Sequence, residues 1–91
     1  MKFDVEIENY SDPSKCVIYN EANVSYSNRR MHIQTKDDKL LHIDHVELYC
    51  ISSEYILFTC YLRNYEGIAR YDAGEITLRK VGDTPLDTVK K

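Results

Sequence analysis

The residues that come closest to a chemical site are His32, His42, Asp44 and His45. Strand alternation puts His42 and Asp44 on one face, and a hairpin turning at Lys36-Asp37-Asp38 brings His32 beside them. Two imidazoles and a carboxylate match the three-ligand requirement of a catalytic zinc site. His45 falls on the opposite face, however, and an outer sheet face excludes no water. The expectation is therefore a solvated cross-strand pair, with no metal and no cofactor.

Other reactive types are equally unpromising. Cys50 and Cys60 share a strand face in the register derived below but sit about 13 Å apart along it, too far for a disulfide. Cys16 is expected in a short buried strand, as a small hydrophobe. The chain has no Gly-x-Ser-x-Gly elbow, and its three glycines cannot build a phosphate-binding loop. Asp37 and Asp38 are adjacent carboxylates at a turn, where acids serve the backbone. The sequence reads as a non-enzyme.

The eight tyrosines carry more information. Tyr49, Tyr55, Tyr61 and Tyr71 fall on one side of a central hairpin, opposite the face that holds Phe58. One reading makes them a second core layer, covered by Phe3, Val5 and Ile7. The other makes them an exposed aromatic platform, since tyrosine is a stiff amphipathic anchor at interfaces. A platform of this kind also suits base stacking if Arg63, Arg70, Arg79 and Lys80 gather beside it. Asp4, Glu6 and Glu8 form an acidic stripe that would meet a basic partner surface.

These side chains need strands to hold them, and the spacing supplies them. Phe3, Val5 and Ile7 alternate with Asp4, Glu6 and Glu8, which predicts a strand with one wet face, placed at a sheet edge. Pro13 and its polar neighbours break it. Cys16–Tyr19 and Val24–Ser27 read as two short strands with a turn at 20–23. A three-residue loop at 36–38 sets Ile33 opposite Leu41 and Met31 opposite Ile43. It also faces His32 with His42 and Arg30 with Asp44. The apolar parity then slips near Asp44-His45, as a bulge or strand break requires.

A loop at Ser52-Ser53-Glu54 pairs Cys50 with Ile56, Leu48 with Phe58 and Val46 with Cys60. Residues 55–63 are apolar on both sides and are expected at the heart of the sheet. Turns follow at 64–67 and 72–74, and the last strand runs over 75–81. Thr84-Pro85-Leu86-Asp87 has the pattern of a helix start, at most one turn within a polar tail.

The whole is an all-β chain of six to eight short antiparallel strands, forming a small barrel or compact sandwich over 1–82 with a tail at 83–91. Ninety-one residues suit a single thin core. No apolar run spans a membrane, the charged start is not a signal peptide, and the odd cysteine count predicts a reduced, cytoplasmic protein. A net charge of −3 opposes nucleic-acid binding by bulk electrostatics.

The expected function is docking on another macromolecule, a protein first, through Tyr49, Tyr55, Tyr61 and Tyr71 with Asp4, Glu6 and Glu8. A small phage or mobile-element inhibitor of a host defence enzyme fits that description. The alternative is a small SH3-like or OB-like nucleic-acid-binding barrel that uses tyrosine stacking with Arg63, Arg70, Arg79 and Lys80. Self-association through the same tyrosines would give a homodimer.

Overall fold

The computed structural model describes residues 2–64 and 70–82, with the backbone alone described at 63–64 and 70–72. The helix-start pattern at 84–87, the tail and the Gly67 turn lie outside the described residues. Among the described residues, seven strands run antiparallel: β1 (Lys2–Asn9), β2 (Val17–Ser27), β3 (Arg30–Gln34), β4 (Leu40–Ile43), β5 (Glu47–Ile51), β6 (Tyr55–Asn64) and β7 (Arg70–Lys80). They form one sheet in the order β4-β3-β2-β1-β7-β6-β5. A single turn of 3-10 helix at Pro13–Lys15 links β1 to β2, capped by the Asp12 carboxylate, which accepts from the Ser14 N–H.

The sheet curls without closing. Its two outermost strands, β4 and β5, are consecutive in the chain, and their connection Asp44-His45-Val46 can span at most about 14 Å. Tyr26 on β2 meets Phe58 on β6 edge-to-face at 4.8 Å between ring centres, although β1 and β7 lie between those strands. In a flat sheet the same strands would stand about 14 Å apart. The connection is tied down where it crosses: the Val46 N–H donates to the Arg29 carbonyl at 2.9 Å, and the Tyr26 hydroxyl donates to the Val46 carbonyl at 2.8 Å. The result is a barrel-like half-shell with a seam between β4 and β5.

One core fills the concave side. Phe3, Val5, Met31, Ile33, Val46, Ile56, Phe58, Ile76 and Leu78 are fully buried in it. This decides the question of the second layer. Phe3, Val5 and Ile7 pack in the same cluster as Phe58, so they do not cover the tyrosines.

The β3–β4 hairpin has the expected register, with Met31↔Ile43, His32↔His42 and Ile33↔Leu41. Its three-residue loop ends on Asp38 in the left-handed region, at φ 66°. The parity slip at 44–45 is a strand break, with His45 at φ 58°. Five other expectations are corrected.

First, β1 is central, flanked by β2 and β7, and is not an edge. Its partner β7 is distant in sequence, so local alternation carried no sign of it. Second, residues 20–23 do not turn. β2 runs through them with one extra residue opposite β1, and the Asp4 carboxylate accepts the Glu21 N–H at that irregularity. Third, residues 72–74 do not turn either, because β7 is continuous. Gly74 is there for a close approach: a Cβ on it would collide with the Glu8 carbonyl of β1.

Fourth, the β5–β6 hairpin keeps Leu48↔Phe58 but shifts by one at Tyr49, giving Cys50↔Leu57 and Ile51↔Ile56. The Ser52 hydroxyl and N–H fold the loop back on Tyr55. Fifth, β6 is second from the edge and has one wet face. The two-sided apolar pattern misled because Leu57 and Tyr55, on the outer side, are only half covered.

Candidate functional site

The convex face of β7, β6 and β5 gathers the tyrosines. β6 alternates buried Phe58 and Cys60 with outward Thr59 and Tyr61. Tyr49 is 70% exposed and Tyr61 56%. The extra residue at Tyr49 belongs to a bulge, which re-aims a side chain while the flanking pairs persist. Tyr55 is half-buried on the same face, with the Arg79 guanidinium over its ring at 5.7 Å. The structure thus places Tyr55 and Tyr61 on one face, with Tyr49 exposed at the bulge of the neighbouring strand. The backbone of Tyr71 pairs with Arg63 on the neighbouring strand, and its side chain lies outside the described residues.

Cross-strand pairing orders this face into rows. Tyr10 sits beside Ala73, its N–H donating to the Ala73 carbonyl at 3.0 Å, and Ala73 pairs on its other side with Tyr61. The next row runs Glu8, Glu75, Thr59 and Glu47 across four strands. Another runs Asp4, Arg79 and Tyr55. Tyr10, Ala73 and Glu75 are therefore neighbours of the predicted tyrosines that local sequence reasoning missed, while Glu47 lies opposite Thr59 as its spacing predicts. The β6–β7 register brings Ala73 and Glu75 to the tyrosines, and the approach of β1 to β7 adds Tyr10.

The acidic stripe is not one surface with one role. Asp4 is half-buried and holds the β2 irregularity, and Glu6 lies 3.8 Å from the Arg79 guanidinium. Glu8 is exposed and faces Glu75, and no described Lys or Arg bridges to either. Like charges directly opposite each other are destabilising. Reduced hydration, a hydrogen bond to Glu75 and the charges of Glu75 and Glu8 push the Tyr10 hydroxyl up to about 12. Glu47, at the far end of the row, is bridged by Arg29 at 2.9 Å.

The basic residues named for the nucleic-acid reading do not assemble into a described patch. Arg79 is engaged by Glu6 and Tyr55, while Lys80 is exposed at the strand end. The side chains of Arg63 and Arg70 lie outside the described residues.

The histidine pair forms as expected, with His32 and His42 rings 4.3 Å apart. His42 Nε2 lies 3.2 Å from Asp44, but the same carboxylate oxygen is 3.5 Å from Arg30 Nε. A guanidinium thus occupies the carboxylate a metal would need, and no three His, Cys, Asp or Glu groups converge as a ligand set among the described residues. Asp37 is occupied by the Thr35 hydroxyl, whose hydrogen bond holds its carboxyl below the usual range.

Cys16 is exposed beyond the 3-10 turn, against the expectation of a buried strand, because β2 begins one residue later. Cys50 and Cys60 are free thiols, as their separation required. No described helix is long and apolar enough to cross a membrane. Compared with family models, curated proteins and solved structures, the chain matches none.

Proposed function

We propose that this protein is a docking module that binds another protein through the convex face of β7, β6 and β5, rather than an enzyme. The observation that carries this reading is the exposure of Tyr49 and Tyr61, with Tyr10, on the wet face of a sheet whose described core lies on the other side. Aromatic side chains of this kind anchor interfaces at small conformational-entropy cost. The Glu8–Glu75 pair beside them, bridged by no described Lys or Arg, selects for a basic partner and against a phosphate backbone.

In the narrower form of this reading the partner is a host enzyme, such as a defence nuclease blocked by a phage or mobile-element protein. An acidic, aromatic face suits the basic surface that nucleases present to phosphate. The test is retention of proteins from a bacterial lysate on the tagged chain, with and without nuclease treatment. The expected result is a stoichiometric protein that survives nuclease and is lost with Tyr49→Ala and Tyr61→Ala, both of which keep the fold. Material lost after nuclease would overturn the reading in favour of nucleic-acid binding.

A further inference from the structure

Resting on the docking reading, we infer that the cleft between Tyr10 and Tyr61 receives an arginine side chain of the partner. The two tyrosines flank Ala73, Tyr10 just past the end of β1 and Tyr61 on β6, so their backbones stand two strand spacings, about 10 Å, apart. Both are more than half exposed. Ala73 is exposed between them and its methyl group leaves a shallow floor. Along β7 the next outward residue is Glu75, which pairs with Glu8 on β1.

The proposed cleft is therefore flanked by two exposed tyrosines, with a small residue between them and two carboxylates in the next row. A guanidinium satisfies all four elements. Its flat face stacks on tyrosine, and its fork of N–H donors reaches carboxylate oxygens. A bound cation would also relieve the Glu8–Glu75 repulsion, which no described Lys or Arg relieves in the free protein. A lysine ammonium would meet the charges without the stacking. A nucleotide base would bring its phosphate against the two acids.

The Tyr10 hydroxyl lies in the same field, its ionisation held back first by reduced hydration and then by Glu75 and Glu8. Partner arginines of this type are frequent hot spots at interfaces.

N-acetyl-arginine amide is the probe, titrated into the full chain and followed by nuclear magnetic resonance, with the neutral N-acetyl-citrulline amide alongside. Signals of Tyr10, Tyr61, Ala73 and Glu75 are expected to shift together with the arginine compound. Binding should weaken about fivefold with citrulline and about as much in Glu75→Gln. Tyr61→Ala should weaken it too, with unchanged core signals from Phe58 and Ile76 as the check on folding. Equal shifts with citrulline, undiminished shifts in Glu75→Gln, or shifts confined to other residues would overturn the cleft. Those outcomes leave the lysate experiment untouched. A lysate experiment without a retained protein would remove the docking reading while the titration still reported on the cleft.

Discussion

Gly74 stands where β1 and β7 come closest, and its lack of a side chain is what lets the Glu8 carbonyl approach. Gly74→Ala should lower stability by about 1–3 kcal/mol through that collision, measurable by urea denaturation. Its neighbour across the ladder is Cys60, whose thiol is pushed up to about 12 by burial and then by the Glu75 charge. In the unfolded chain the thiol ionises near its ordinary value of 9.0. The stability that Cys60 contributes is therefore complete below about pH 9 and is lost as pH rises toward 12. Denaturation midpoints measured across that window should fall less steeply in Cys60→Ala than in the wild type. Thiol reagents at neutral pH should modify exposed Cys16 first and Cys60 last.

At the scale of elements, the irregularities in β2 and β5 shape the sheet and its surface. In β2 the extra residue puts Glu21 at φ 52°, and the Asp4 carboxylate accepts its N–H at 3.0 Å. Lys36 also bridges to the Glu21 carboxylate at 2.8 Å, tying the β3–β4 loop to the same place. Asp4→Ala should cost about 1–2 kcal/mol in chemical denaturation, more than an ordinary surface substitution. Asp4→Asn, which keeps an acceptor, should recover much of it. If both variants equalled wild type, the carboxylate would have no part in holding β2. The local pattern around Asn20–Asn23 resembles a turn because these residues favour left-handed backbone. A bulge uses the same preference inside a continuous strand.

For the whole molecule the open seam is the feature with the clearest signature. The Thr35 N–H bonds to the Lys39 carbonyl, so hydrogen-bonded pairs along β3 and β4 fall at Leu41 and Ile43. The amides of Leu40 and His42 then point to the unpaired edge. Hydrogen exchange should be fast at Leu40 and His42 and slow at Leu41 and Ile43. Slow exchange at all four would mean that another strand covers this edge in solution. Leu40, 76% exposed, faces outward on the same strand. Between β4 and β5 the half-buried Leu41, Ile43 and Leu48 close the core without a ladder across the seam.

Much of the architecture was legible in the chain because a strand with one wet face writes itself as alternation. That pattern determined the all-β class, the β3–β4 register down to His32 opposite His42, the strand break at His45, and the shared side of Tyr55 and Tyr61. Each depends on residues close in sequence, where loop length and side-chain parity leave one arrangement. What only the tertiary structure decided is which strands meet across the chain. The pairing of β1 with β7 made the acidic strand central, turned Gly74 from a turn residue into a contact point, and put Tyr10, Glu8 and Glu75 beside Tyr61. The curl that packs Tyr26 on Phe58 gathered Phe3, Val5 and Ile7 into the single core, leaving the tyrosine face outside. Period-two alternation says that a strand has an inside, but not which strand lies beside it. That choice is made by how the apolar faces of distant segments bury one another.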